Sequence, residues 1–489
     1  MRFNIYLTLV LLIAVHAVCF AQYEISIPVA PADRISDIKA YYNPYSKNFV
    51  IAQQGTGMIS RQLFDTVFQL KKSYTAGTEA ISFSASNKKH VFLEAYCTAG
   101  MNYEVYSKEK SIEIWAIGFE NGADKKAAAL RQQQQYKDER LVALIPGADK
   151  LTLLCITPKE NKLLLYNYFP GKDILLQGEY PLPAISLTPD EIKERGRHLA
   201  MQYSNSMRGI FIAETNKTGP FHISPGNQLL YNDTALYFLL RVPYKAGYHL
   251  LEMNRTSGQM RFSNFLVNKL EAGHFGTSYE MIPAATMYDS LLIIQNSNSL
   301  SLEYYFYNIH SGQLLAKHTA TADNSLYSIV HSGLHQAGTY GSKDEEKDIS
   351  SERLFLRRKN KGNIFINVSH ADADSILLSF GSYVPTEGIG GSIVGLATLF
   401  ATNFVSGAFK LGLYMSMTRN KFLFAFSKFS LKTFEPSRST GITTPLNTIV
   451  SETKADEPGT KSSFVIEKDG HLYTGNYDKV SDKFRIIKY

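Results

Sequence analysis

The sequence predicts an all-β fold built from repeated units, and three observations carry that prediction. Short runs of apolar, β-branched and aromatic residues outnumber helical patterns, with Tyr at 30, Phe at 29 and aromatics at 12% of the 489 residues. Three of these runs end on an asparagine followed four places later by a glycine and a second apolar run. They are LLLYNYFPGKDIL around Asn167 and Gly171, YHLLEMNRTSGQM around Asn254 and Gly258, and YYFYNIHSGQLL around Asn308 and Gly312. Asn and Gly tolerate the left-handed backbone of a tight turn, so each copy reads as a β-hairpin whose alternating residues bury one face. The second and third asparagines are 54 residues apart, the length of one four-stranded blade with its loops. At roughly 40 to 60 residues per blade, the chain length fits a single β-propeller of about seven blades, with six or eight also admissible, carrying one helical insertion.

The elements follow in order. MRFNIYLTLVLLIAVHAVCFAQ holds Arg2, an uncharged apolar run and small Ala21 before Gln22, the layout of a secretory signal peptide over residues 1–21. Retention as an anchor and lipidation at Cys19 are the alternatives, the latter opposed by Val18 where a small residue is wanted. The propeller then spans residues 22–489. Besides the three hairpins, strand runs occur at YYNPYSKNFVIAQQ with QLFDTVFQLKKSY, at VFLEAYC with YEVYSKEKSIEIWAIGF, and at RLFLRRKN with IFINVSHADADSILLSF. KFLFAFSKFSLKTF and SSFVIEKDGHLYTGNYDKVSDKFRIIKY complete the set, and the terminal FRIIKY is expected to close the ring on an early strand such as NFVIAQQ.

Four insertions interrupt this series. Residues 121–140, rich in Ala and Gln, read as a short helix or solvated loop. Residues 187–204 read as a helix, with Thr188 as cap, Pro189 in the first turn and Glu191 completing a capping box. The charged 341–353 and the Ser/Thr/Gly/Pro-rich 437–463 read as surface loops. Gly388–Phe409 passes 22 residues without a charge, long enough to cross a bilayer, but Gly punctuation and strands on both sides favour core strands. No transmembrane span is expected once the signal is removed.

The formal charge of +7 is spread along the chain without a basic block, so no nucleic-acid partner is expected. Beyond the signal only Cys97 and Cys155 remain, too few for a disulfide scaffold, and their apolar surroundings favour two free buried thiols over a bridge.

Candidate chemistry is sparse. His370, Asp372 and Asp374 alternate, and on a continuing strand they would share one side as a metal or polar-sugar cluster, although the solvated end of a hairpin is the favoured reading. His331 and His335 have helical metal-ligand spacing, but Ser and Gly between them argue for a turn. Ser86 with Lys89, Tyr203 with Asn205 and Lys217 with Gly219 imitate a serine acyl-transfer motif set, rejected because the last two elements lie only 14 residues apart. Gly388, Gly390, Gly391 and Gly395 lack the Lys-Ser/Thr of a phosphate loop. Asn216, Asn232, Asn254 and Asn367 begin glycosylation sequons. No catalytic or cofactor-binding residue emerges, and no cofactor is expected.

YYNPYSKNFVI, LTLLCITPKENKLLLYNY, KFLFAFSKFSLKTF and GHLYTGNYDKVSDKFRIIKY give the whole mature chain a texture that resembles uncharacterised secreted β-propeller-like proteins of Bacteroidetes. That resemblance implies a fold and an exported location, secreted, periplasmic or at the cell envelope, and no activity. The functional expectation is a monomeric, non-enzymatic binding or scaffold protein whose propeller loops engage a protein or glycan. The alternative is a hydrolase or lyase acting on glycan or peptide, with its site gathered in the central channel.

Overall fold

The structure is a computed structural model that describes residues 24–28, 37–182, 211–215, 227–270, 283–385, 420–437 and 463–488, with short breaks inside these ranges. The strands form seven sheets. β1 (Glu24–Pro28) is followed by the first sheet, β2 (Asp37–Asn43), β3 (Asn48–Gln54), β4 (Met58–Phe64) and β5 (Leu70–Gly77). β6 (Ile81–Ser82), β7 (His90–Cys97), β8 (Asn102–Lys108), β9 (Ser111–Gly118) and β10 (Ala123–Arg131) form the second. β11 (Arg140–Pro146), β12 (Leu151–Thr157), β13 (Lys162–Tyr168) and β14 (Ile174–Pro181) form the third. The fourth has β15 (Phe211–Glu214), β16 (Gln228–Tyr231), β17 (Ala235–Arg241), β18 (Gly247–Asn254) and β19 (Met260–Leu266). The fifth has β20 (Ala284–Tyr288), β21 (Leu291–Ser297), β22 (Ser301–Asn308) and β23 (Leu314–Thr321).

The sixth sheet is built out of chain order. β24 (His335–Tyr340), with the short β25 (Lys343–Asp344) and β26 (Lys347–Asp348), precedes helix α1 (Glu352–Lys359). β27 (Asn363–Asp372), β28 (Ser375–Pro385) and β29 (Asn420–Ser430) follow the helix, and β24 pairs with β29 to supply the fourth strand. β30 (Ser463–Lys468), β31 (His471–Asp478) and β32 (Lys483–Lys488) form the seventh sheet, and β1 is its fourth strand. Glu24 pairs with Ile487 and Ile27 with Phe484, antiparallel, so the two ends of the chain lock the ring. This architecture is a seven-bladed β-propeller.

Ring closure uses a different partner from the one expected. NFVIAQQ is β3, and both its edges are occupied by β2 and β4. The closing segment is EISIP, too short and too close to the expected signal segment to register as a strand in sequence.

The hairpin strands also bury more than one face. Every residue of β12 and β21 is buried, and LLLYNY of β13 is buried throughout, whereas β14 and β23 are largely exposed or half-buried. Sheets stacked around an axis cover both faces of their inner strands, and only the perimeter strand meets solvent. Apolar clusters therefore cross the seams: Ala52 and Ile59 meet Phe92 and Tyr106, while Val105 and Ile114 share a cluster with Leu153, Leu164 and Phe238. Leu239 and Leu250 pack with Ile294 and Tyr305, and Ile293 and Phe306 pack with Ile366 and Phe380. Each such Val, Leu, Ile or Phe side chain contributes about 1.5 to 3 kcal/mol on burial.

Two segments take other forms than expected. Residues 123–131, within the segment read as helix or loop, are the perimeter strand β10 on Ser111–Gly118. RLFLRRKN, read as a strand run, is helix α1: Ser351 Oγ accepts from Leu354 N at 3.2 Å, Glu352 sits in the first turn, and Arg357, Arg358 and Lys359 end it, matching the helix dipole. The expected signal segment 1–21, the expected helix at 187–204, Gly388–Phe409 and most of 437–463 lie outside the described residues. Among the described residues no helix is long and apolar enough to cross a membrane. Cys97 on β7 and Cys155 on β12 lie in different sheets as free thiols, and burial pushes Cys97 up to about 12.

Candidate functional site

The two ends of the ring differ in kind. Antiparallel succession places the turns joining first to second and third to fourth strands at one end, and all other connections at the opposite end. At the turn end, Asn254 Oδ1 accepts from Thr256 N at 2.9 Å and Ser257 N at 2.8 Å, and Gly258 takes φ 69°. Asn308 repeats this with His310 N and Ser311 N, both at 2.9 Å, and Gly312 at φ 72°. The sixth sheet makes the same turn with Ser430 as acceptor for Lys432 N and Thr433 N, and with Phe434 in the left-handed position at φ 58°. The first sheet closes with a turn one residue shorter, Asp65 Oδ1 accepting from Val67 N and Gln69 N, and with Phe68 in the left-handed position at φ 59°.

Those two phenylalanines explain why the motif was not recognisable in their sheets. Phe68 stacks on Phe49 at 4.3 Å and is buried, and Phe434 lies 5.7 Å from Phe306, so each ring fills a seam that a glycine would leave empty. Asn167 keeps the spacing, with Gly171 at φ 79°, but its side chain turns inward, accepts from Thr152 Oγ1 at 2.9 Å and donates to Gln177.

Side chains at the turn end join neighbouring sheets around most of the ring. Tyr473 packs on Phe49 and Phe68, and Asn43 Nδ2 donates to Asn102 Oδ1 at 2.8 Å. Tyr103 meets Tyr168 edge-on at 5.7 Å, and Arg255 Nη2 reaches Thr152 Oγ1 at 3.4 Å. Arg261 donates to the carbonyls of Ile309 and His310, and Tyr288 Oη lies 2.8 Å from His370 Nδ1. The strand ends from which the long connections depart lie at the opposite end: Pro181 and Gln228, Leu266 and Ala284, Thr321 and Asn363, and Pro385 and Asn420.

The sequence-derived candidates separate. A bulge between His370 and Asp372 breaks their alternation, and His370 stacks on Tyr288. Asp372 binds Lys428 Nζ at 2.7 Å and Asp374 binds Lys432 Nζ at 2.8 Å, and the Lys428 hydrogen bond holds the Asp372 carboxyl down at about 2. His331 Nδ1 accepts from Lys428 N at 2.9 Å, and burial, then the Lys428 charge, lower its pKa. His335 begins β24, stacks on Phe424 and lies 2.8 Å from Asp348 Oδ1. Among the described residues no group of three or more His, Cys, Asp or Glu converges to hold a metal. Of the sequon asparagines, Asn254 is exposed at its turn, whereas Asn367 is buried in β27.

A buried polar constellation went unrecognised in sequence. Arg61 on β4 and Glu104 on β8 are both fully buried at the seam of the first and second sheets. Arg61 Nη1 reaches Asp124 Oδ2 at 2.6 Å, and its Cζ lies 5.9 Å over the Tyr74 ring. Tyr106 donates to Glu104 and Tyr74 to Asp124, while Tyr41 Oη donates to Glu104 Oε1 at 3.3 Å. Burial alone would lower the Arg61 guanidinium, and the Glu104 charge together with Tyr106, the Glu104 hydrogen bond and Tyr74 more than reverses this, so it stays charged. Burial raises the Asp124 carboxyl even against Arg61. The available signal was a charge inside an otherwise strand-like run, MISRQLF and NYEVYSK, 43 residues apart. The network fastens two sheets and exposes no reactive atom of Arg61 or Glu104.

No protein-family model matches the chain, and no curated protein matches it. Among solved structures, the Dos1 propeller aligns at TM-score 0.35 and 9% identity over 96% of this chain and 95% of that one. The β-propeller domain of Cps50 (Swd1) from Myceliophteria thermophila aligns at TM-score 0.32 and 6% identity, covering 95% of this chain and 99% of its own. Dihydro-heme d1 dehydrogenase NirN aligns at TM-score 0.31 and 9% identity over 92% of this chain and 63% of that one. The propeller assignment rests on the strand order and ring closure of this chain.

Proposed function

We propose that the protein is an exported, non-enzymatic binding module that engages a protein or glycan partner at the end of the ring carrying the long connections. One observation carries this reading: side chains knit the turn end across most seams, while every long connection between described strands of the first six sheets leaves from the other end. Loops on a rigid scaffold are where recognition residues concentrate, because they vary without disturbing the core. Export rests on the signal layout ending at Ala21, just ahead of the closing strand at Glu24.

The test is a pull-down of the mature chain from envelope and culture extracts, paired with a glycan array and cross-linking of any bound partner. The reading expects cross-links confined to the connection end, and loss of binding when 387–418 is replaced by a short linker. Cross-links at the turn end, or no partner in either screen, would overturn it.

A further inference from the structure

Lys359, the last residue of α1, is fully buried in the seam between the fifth and sixth sheets. Its Nζ donates to Ser297 Oγ at 2.7 Å, the end of β21, and among the described residues it has no carboxylate partner. Ser297 in turn donates to Asn360 Oδ1 at 3.1 Å, so the ammonium and the amide share one hydroxyl. Asn360 Nδ2 is buried and without a partner among the described residues. Two residues along β21 on the same face, Gln295 donates to Tyr304 Oη at 3.2 Å.

The neighbourhood adds positive charge. Arg357 and Arg358 precede Lys359 in the same turn, and Arg358 donates to neutral Gln336. An ammonium has three donors and Lys359 uses one, so two N–H groups of Lys359 and the amide of Asn360 lie in the seam without a partner among the described residues. Buried polar groups are almost always paired, and a buried charge is paired or compensated. A water molecule would satisfy the hydrogen bonds and leave the charge.

We propose that Lys359 Nζ and Asn360 Nδ2 hold a compact monovalent anion, a halide or the carboxylate of a small acid, in this seam at the connection end of the ring. The anion supplies the missing acceptor to both donors and the missing charge to the lysine. The fully buried position restricts the ligand to a small one.

The test uses the mature chain, residues 22–489, with chloride as probe. Chloride-35 line broadening should exceed that of Lys359→Met, fall on addition of formate, and be reduced by Asn360→Ala. Replacing gluconate by chloride at constant ionic strength should raise Tm by about 1 to 2 °C in the wild type and not in the variants. Broadening undisplaced by formate but lost in both variants assigns the site to halide, and displacement by formate assigns it to either anion. Equal broadening and equal Tm shifts in wild type and Asn360→Ala would overturn the site, even if Lys359→Met does not fold.

Discussion

Arg61 and Glu104 form a two-toothed ion pair across the first seam of the ring, Nε to Oε1 at 3.0 Å and Nη2 to Oε2 at 2.6 Å. Because both side chains are fully buried, removing one leaves the other uncompensated in a medium that solvates it poorly. Arg61→Met should therefore cost about 3 to 5 kcal/mol in urea unfolding, the range for breaking a buried pair from one side. Arg61→Lys should recover little, since a point charge cannot span both oxygens and Asp124 as the planar fork does. The double variant Arg61→Met, Glu104→Gln should be more stable than Arg61→Met alone. A loss below about 0.5 kcal/mol for Arg61→Met, the ordinary range for a surface change, would show that the network contributes nothing.

The pairing of Ile25 with Ile486 and its neighbours makes ring closure a joint product of the two chain ends. Deleting residues 22–28 removes one ladder and leaves β32 as an unpaired edge, whereas deleting residues 482–489 also removes the ladder of β32 on β31. Both truncations should lower Tm and promote aggregation, the second more than the first. An unchanged Tm in either would defeat closure as a source of stability.

The repeat and its blade count were legible because strand runs and turn residues are local signals. Asn254 with Gly258 and Asn308 with Gly312 show the turn in their residue types alone. Ser430 with Phe434 makes the same turn, and Asp65 with Phe68 a turn one residue shorter, each with a phenylalanine in the left-handed position where a turn pattern expects Gly or Asn, because tertiary packing of the rings overrides the backbone preference. The Arg61 network was illegible for a different reason: its members come from strands of two sheets, and only closure of the seam brings them together. RLFLRRKN reads equally as strand or helix from its apolar residues, and the decision lay in the Ser351 cap and the basic last turn.

Gly258 and Gly312 occupy nearly the same backbone conformation but different surroundings. A Cβ at Gly312 would meet open space, whereas one at Gly258 would run into the ring of Tyr180 on the neighbouring sheet. Gly312→Ala should cost about 1 to 2 kcal/mol, the strain of a left-handed alanine. Gly258→Ala should cost at least about 1 kcal/mol more, the usual minimum for overpacking. In a double-mutant cycle measured by urea unfolding, Tyr180→Ala should remove that excess. Equal costs for the two glycines would mean that Tyr180 moves aside freely.

Lys359 gives the fold a pH dependence whose sign follows from its burial, which lowers its ammonium from 10.5 to about 7 in the folded chain. Between those two values the unfolded chain holds the proton and the folded chain does not, so stability rises with pH across the window. Below pH 7 both states are protonated and the full burial penalty is present, whereas above 10.5 neither carries the charge and the penalty is gone. In gluconate buffer, the stability of wild type minus that of Lys359→Met should rise by about 3 to 5 kcal/mol from pH 7 to pH 10, at 1.36 kcal/mol per unit. Subtracting the methionine variant cancels other groups that titrate in the same range, including the tyrosines. A difference that stays flat with pH would mean that Lys359 keeps its proton in the folded chain, with a countercharge supplied from outside the described residues.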